Sequence, residues 1–339
     1  MNQLIDSFNR KISYLRVSVT DRCNYRCIYC CPEKPFNFIP HQDVLRYEEI
    51  IEIIKESVKL GISKVRITGG EPLVRKGIID FVSQLNHIKN LNDISLTTNG
   101  FFLAEYASQL KAAGLNRVNI SLDSLHEEKY KRITRGGSLK KVLTGIHAAI
   151  GEGLLPVKVN TVVLRGVNDN EIDDFIQLAV KYPLNIRFIE FMPTTDKLLQ
   201  EYKQSFIPIL KIRDSLINKY SLKALKVSNS NGPAKYYSME GAKGTVGFIT
   251  ALSQHFCESC NRIRLTADGK IRPCLFSNKE INLKDAMRSL DRLEKNSSDR
   301  RKQMISDKIV EAVNLKPAKH KLNIKIDKND SFQMSRIGG

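Results

Sequence analysis

The sequence predicts an α/β protein organised on a parallel sheet, and two observations carry that reading. Short β-branched runs alternate with helix-patterned stretches through the first two-thirds of the 339 residues. Strand–helix alternation of this kind implies parallel strands joined by right-handed crossovers. After about residue 195 the rhythm changes, so a smaller mixed region follows. Six strand–helix units fit either a partial (β/α) barrel or an open doubly wound sheet, and periodicity alone leaves both open.

The expected strands, in order, are "YLRVSV" (14–19), "KVRIT" (64–68), "DISLTT" (93–98), "RVNIS" (117–121), "PVKVNTVV" (156–163) and "IRFIEF" (186–191). Helical patterns lie between them. In "RYEEIIEIIKESVKLG" (46–61) apolar residues recur at three and four, and Gly61 fits the C-terminal cap. "NDNEIDDFIQLAVKY" (168–182) opens with an Asn/Asp cap and early acids. Further on, "TVGFIT" (245–250) reads as a strand. "RIRLTADGKIRPCLF" (262–276) reads as two strands turned at Asp268-Gly269. A charged helical stretch from about 283 to 313 contains a solvated piece, "RLEKNSSDRRK".

Composition narrows the class. Apolar residues make up 42% of the chain, enough for a sizeable core. No apolar stretch approaches the roughly 20 residues that span a bilayer, and Met1 to Lys11 lacks the apolar segment of a signal peptide. The expectation is a cytoplasmic protein with no membrane partner, where clustered cysteines read as metal ligands rather than disulfides. The net charge is +18, but the basic residues are spread out and no nucleic-acid motif accompanies them. A small polyanionic substrate is preferred over nucleic acid.

"CNYRCIYCC" puts four of the seven cysteines within nine residues. Cys23, Cys27 and Cys30 form Cys-x3-Cys-x2-Cys just past the C-terminal end of the first expected strand, where active-site loops of α/β folds lie. Three thiolates on one loop can hold three irons of a 4Fe–4S cluster and leave the fourth open. Cys257, Cys260 and Cys274 form a second incomplete set. A zinc site built from Cys27, Cys30, Cys257 and Cys260 is the competing reading, but it idles Cys23 and Cys274. Cys31 reads as a small apolar spacer.

Read with "GGEP" (69–72), the first triplet resembles radical S-adenosylmethionine enzymes. "LRVSVTDRCNYRCIYC", "RITGGEPLVR", "TTNG", "ISLDSL", "PVKVNTVVLRGVND", "GTVGFI", "FCESCNRIRLTADGKIRPCLF" and a terminal "GG" follow in order over nearly the whole chain. Together they resemble the GTP 3′,8-cyclase family of molybdenum cofactor biosynthesis. Cys31 stands where that family tends to have Met, and Lys319 where Gly is common.

The resemblance implies an incomplete (β/α)6 barrel over 1–229 with the first cluster, and a C-terminal region over 230–339 with a second 4Fe–4S cluster and the tail. It implies S-adenosylmethionine at the open iron of the first cluster, contacted by Tyr29, Gly70, Ser121 and Met192. The glycines of "GGEP", lacking Cβ atoms, let backbone approach a ligand. It implies GTP as substrate, with Thr97 a contact and guanine at the second cluster. Arg16, Arg66, Lys158 and Arg187 lie inside expected strands, where an unpaired buried charge is costly. Inward alternation would aim all four at one polyanion. Arg262 and Arg264 share a strand face beside the second cysteine set. The implied chemistry is removal of hydrogen from ribose C3′ by a 5′-deoxyadenosyl radical, followed by joining of C3′ to guanine C8. Gly338 and Gly339 are implied as a catalytic tail, with Arg336 beside them. An external electron donor and transfer of product to cyclic pyranopterin monophosphate synthase are implied, and a homodimer is compatible. The alternatives are another two-cluster radical enzyme, such as a peptide maturase, and a zinc-stabilised nucleic-acid-binding protein.

Overall fold

The computed structural model describes residues 3–30, 38–193, 204–225, 232–293, 298–320 and 334–338. Its centre is a single sheet of twelve strands. Six of them are the expected ones: β1 (Tyr14–Ser18), β2 (Lys64–Thr68), β3 (Asp93–Thr98), β4 (Arg117–Ser121), β5 (Val157–Val163) and β6 (Leu184–Glu190). All six pair in parallel and in order. Between them run α1 (Tyr47–Lys59), α2 (Ile78–Asn86), α3 (Leu103–Ala112), α4 (Glu127–Thr134), α5 (Leu139–Gly151) and α6 (Ile172–Lys181).

Each strand separates two environments. Leu15, Val17, Val65, Ile67, Leu96, Val118, Ile120, Val157, Val159 and Ile186 are buried in the helix layer. The residues between them, at period two, are Arg16, Arg66, Ser95, Thr97, Asn119, Ser121, Lys158, Asn160 and Arg187. A sheet whose second face is this polar encloses a site rather than a packed barrel interior. α1 shows why the outer layer forms. Ile50, Ile51, Ile53 and Ile54 make its buried stripe, and Glu49 turns back to accept from the Arg46 backbone N–H at 2.7 Å.

The later region is less separate than the change of rhythm implied. After α7 (Ile209–Tyr220) come β7 (Lys223–Ala224), β8 (Lys235–Ser238), β9 (Thr245–Ile249), β10 (Arg262–Leu265), β11 (Lys270–Arg272) and β12 (Ile281–Asn282). β9 pairs parallel to β6, and β10 pairs parallel to β1. The parallel run is therefore β10-β1-β2-β3-β4-β5-β6-β9, with antiparallel ribbons at both margins. β10 and β11 form the expected hairpin through Asp268-Gly269. α8 (Lys284–Leu293) and α9 (Ser298–Asn314) divide the charged stretch, and Ile305, Ile309, Ala312 and Val313 of α9 are buried. Arg301, within the stretch read as solvated, bonds Glu52 of α1 at 2.8 Å. Residues 294–297 of that stretch lie outside the described residues. A short α10 (Met334–Ile337) ends the described chain.

One expected cap is not a cap. α6 starts after a 3-10 turn, and no side chain caps it. Asn168 instead accepts from the Leu164 N–H at 2.8 Å and donates to Asp123 O and Val162 O, tying the loop after β5 to the end of β4.

Candidate active site

The two cysteine sets lie at opposite ends of the parallel strands. Cys23, Cys27 and Cys30 follow the C-terminal end of β1. Cys257 and Cys260 precede Arg262, which pairs with Tyr14 at the strands' N-terminal end. β11 runs antiparallel to β10, so Cys274 returns to the same end. No disulfide joins these six cysteines. Cys31 lies outside the described residues.

The first loop is held by its neighbours' backbones. Gly70 N–H donates to Thr20 O at 2.7 Å, and Glu71 N–H donates to Arg22 O at 2.8 Å. A Cβ at Gly69 would lie 2.4 Å from Thr20 O, and one at Gly70 would lie 2.2 Å from Arg22 O. In this structure the bareness of the glycine pair admits the backbone of the cysteine loop itself. The Glu71 carboxylate is buried and accepts from Thr98 Oγ1, Asn99 N–H and Leu73 N–H at 2.8, 2.7 and 3.1 Å. Burial pushes it up to about 7. Asn99 donates to Asn24 at 2.8 Å and approaches Cys23 Sγ at 3.8 Å, and Tyr25 N–H approaches the same sulfur at 3.4 Å. Donors aimed at a sulfur are what a cluster thiolate needs, so the loop fits the group that the resemblance implies.

Tyr29 donates its hydroxyl to Asp123, 2.5 Å away, and Asp123 accepts from Val162 N–H at 2.9 Å. Burial pushes Asp123 up to about 6 and, with Asp123 beside it, Tyr29 well above its usual range. Ser121 is the last residue of β4, and Met192 stands two residues past β6; both are half-buried.

Between the two cysteine sets the interior is strongly cationic. Arg16, Arg66 and Arg264 share one register line across β1, β2 and β10. Lys158 pairs with Asn119, and Arg187 pairs with Asn160. Burial, then Arg187, Arg117 and Arg66, bring Lys158 down to about 7. Burial and Arg262 bring Arg264 down to about 9. Burial, Arg264 and Arg66 hold Arg16 well below its ordinary value. Tyr14 registers the same field: burial favours its neutral phenol, yet Arg66, Arg16, Arg117 and Arg262 leave it below the usual value. Arg187 donates to Asn119 Oδ1 at 2.8 Å. Thr97 Oγ1, Arg187 Nε, Arg262 Nε and Asn160 Oδ1 are buried atoms with no hydrogen-bond partner among the described residues. Buried polar atoms are ordinarily paired, so Thr97 Oγ1 and the two Nε–H donors are places for a polyanionic, many-acceptor ligand, whereas Asn160 Oδ1 needs a donor.

The second cysteine set is wrapped by cations from distant segments. Lys316 Nζ lies 3.5 Å from Cys260 Sγ, and Arg10 donates to Cys257 O at 2.8 Å. Burial would raise the Cys260 thiol, but Arg262 and Lys316 outweigh it and bring it to about 6. A ready thiolate fits a cluster ligand. His255 and His320 contact each other at 2.9 Å beside Cys257. The tail reaches the interior: Gly338 is buried, Arg264 donates to its carbonyl, and a Cβ there would lie 2.3 Å from Thr68 Cγ2. Arg336 O accepts from Ala267 N–H at 3.4 Å. Gly339 lies outside the described residues.

The structure thus brings the seven expected GTP residues to one interior and Gly338 beside Arg264. Tyr14, Arg117, Asn119 and Asn160 were missed, although period two in "YLRVSV", "RVNIS" and "PVKVNTVV" points them inward. Asp123 and Asn99 were readable only as motif letters. Lys316 and Arg10 had no local signal.

Comparison with known proteins decides the family. Residues 17–179 match the Radical SAM superfamily, and residues 184–322 match Molybdenum Cofactor Synthesis C. A GTP 3′,8-cyclase of Petrotoga mobilis is 47% identical over 99% of this chain and 100% of its own. One from Syntrophomonas wolfei subsp. wolfei is 46% identical with the same coverage. The chain belongs to the GTP 3′,8-cyclase family. Among solved structures, Streptococcus suis SuiB bound to S-adenosylmethionine superposes with a TM-score of 0.55 at 12% identity. The match covers 81% of this chain and 62% of SuiB. At that identity the likeness concerns the fold alone, an α/β scaffold, with no barrel closure between β9 and β10 among the described residues. No helix among the described residues is long and apolar enough to cross a membrane.

Proposed function

We infer that this chain is a GTP 3′,8-cyclase. It converts GTP to (8S)-3′,8-cyclo-7,8-dihydroguanosine 5′-triphosphate, the first step of molybdenum cofactor biosynthesis. The observation that carries the reading is a buried field of cations lying between two cysteine triplets. A nucleoside triphosphate brings about four negative charges, and such a field matches them with convergent donors. The alternative, a peptide maturase, gives those strand cations no partner.

A 4Fe–4S cluster and S-adenosylmethionine belong to this family. When bound, they supply the one-electron chemistry that takes hydrogen from C3′ of the ribose. Cys23, Cys27 and Cys30 would hold that cluster, and Tyr29, Gly70, Ser121 and Met192 would contact S-adenosylmethionine. Cys257, Cys260 and Cys274 would hold a second 4Fe–4S cluster facing guanine. Arg16, Arg66, Lys158, Arg187, Arg262 and Arg264 would bind the triphosphate, with Thr97 as a further contact. Their fixed strand positions orient the ribose, and the buried interior excludes water. Gly338, Gly339 and Arg336 would form a tail that closes on the nucleotide beside Arg264.

In this reading residues 1–229 carry the S-adenosylmethionine half and residues 230–339 the second cluster and tail. The enzyme works in the cytoplasm with an external electron donor and can act as a homodimer. It passes product to cyclic pyranopterin monophosphate synthase and binds neither membrane nor nucleic acid.

Anaerobically reconstituted protein, incubated with GTP, S-adenosylmethionine and dithionite, tests the reading. Chromatography with mass fragmentation should reveal an isomer of GTP carrying a carbon bond from ribose to base, with 5′-deoxyadenosine alongside. A colourless, zinc-loaded chain yielding neither would refute it.

A further inference from the structure

The second cysteine set has a feature that neither the family motifs nor the substrate field uses. Lys316 is 3% exposed, although it is a lysine with no carboxylate partner among the described residues. An ammonium has three donors, and here each meets an acceptor: Cys260 Sγ at 3.5 Å, Arg262 O at 2.8 Å and Pro273 O at 2.9 Å. Two of these acceptors belong to the Cys260–Arg262 segment, and the third immediately precedes Cys274. One side chain therefore ties together the two stretches that carry the triplet, across 13 residues of sequence between Cys260 and Cys274.

The mounting is rigid. Lys316 N–H donates to Val313 O at 3.0 Å at the end of α9, and Val313 is fully buried. On the other side, Pro317 O and Ala318 O accept from Arg10 at 2.7 and 3.1 Å, and Arg10 also holds Cys257 O. Burying an ammonium with no anion is costly. The nearest group able to carry the balancing charge is the sulfur of Cys260.

We propose that Lys316 is a positioning residue of the second cluster site, acting as internal counter-charge and N–H···S donor to Cys260 while fixing the spacing between Cys260 and Cys274. This rests on the reading that the second triplet holds a 4Fe–4S cluster. Adding an electron makes a cluster more negative, and a fixed cation beside a ligand sulfur favours that state. Lys316 therefore raises the reduction potential of the second cluster, leaving the first, at the far end of the strands, unaffected.

The test uses the full chain with Cys23, Cys27 and Cys30 replaced by Ala, so that any cluster present is the second. Iron content and an EPR-monitored redox titration are compared for this parent and for its Lys316→Met and Lys316→Gln forms. The expected result is about four irons per chain in the parent, as one 4Fe–4S cluster requires. The potential should shift negative in Lys316→Met and by less in Lys316→Gln, which keeps an N–H donor but no charge. An unchanged potential in Lys316→Met overturns the proposal. Loss of iron from both variants with unchanged circular dichroism leaves Lys316 as a spacing strut alone and overturns its role as counter-charge. A parent without iron removes the two-cluster reading itself, and the proposal with it.

Discussion

The two cysteine triplets are built by opposite means. The first is one contiguous loop, seated on the backbone of Gly70 and Glu71 and bordered by buried carboxyls that burial pushes upward, Glu71 to about 7 and Asp123 to about 6. The second is assembled from residues near 10, 257–262, 272–274 and 316, and its immediate partners are cations. A loop needs only local sequence to bring its thiols together. A site drawn from four distant segments needs the whole fold, and charge then does the fastening that proximity does at the first. The difference is one of reach: at the first set Arg26, within the loop itself, donates to Cys23 O and Tyr25 O, whereas at the second the fastening cations, Arg10 and Lys316, come from distant segments.

Removing one thiol from each set is the sharpest way to break that comparison. Cys23→Ala should abolish formation of 5′-deoxyadenosine, while Cys274→Ala should retain it and lose the cyclised nucleotide. Product analysis of both reactions checks this, and equal behaviour of the two variants would dissolve the division. Arg264→Ala should lower GTP turnover by roughly 10- to 100-fold, the size of one lost charge-assisted hydrogen bond. Iron content should hold, and unchanged kinetics for GTP would remove Arg264 from the substrate field. Gly338→Ala should cost roughly tenfold in cyclisation. Its φ is +80° and its Cβ would strike Thr68, and a side chain in left-handed backbone costs about 1–2 kcal/mol. 5′-Deoxyadenosine formation measured in parallel separates a tail defect from a cluster defect.

The smallest effect is a proton. Burial and neighbouring arginines hold Lys158 at about 7, below its unfolded value, so the free protein at pH 8 carries it mostly neutral. A bound polyanion pulls that value back up, so GTP binding at pH 8 should take up a proton, at most about one from this residue. Calorimetry in buffers of different ionisation enthalpy measures it. Lys158→Met should reduce the uptake; an uptake unaltered by that change would place the triphosphate elsewhere.

The sequence made the local site readable and left the assembled one mostly dark. "CNYRCIYC" and "GGEP" announce themselves because their geometry is short-range, although the glycines' packing against Thr20 and Arg22 is tertiary and could not be read. The six strands were legible because short β-branched runs alternate with helix-patterned stretches. Period two within them points Arg117, Asn119 and Asn160 inward, but without a fold to aim at nothing marks them as part of a site. Asn168 looked like a helix cap because Asn is a good one; its side chain instead crosses to Asp123, a contact made possible only by neighbouring loops. Lys316 sits in "NLKPAKHK", where nothing distinguishes a buried ammonium from a solvated one. The pairing of β9 with β6 and of β10 with β1 had no signal at all, since strand partners distant in sequence leave none.

The missing bond between β9 and β10 has a consequence for capacity. A closed barrel of eight strands has its radius set by strand number and stagger, and it is just wide enough to be filled by side chains or to hold one small ligand. Here eight parallel strands are present, yet the seam between the first and last of them is unsewn among the described residues. The wall can therefore stand at a circumference chosen by its contents rather than by its hydrogen bonds. On the function proposed above, that freedom would give a chamber of this strand count room for S-adenosylmethionine and GTP together.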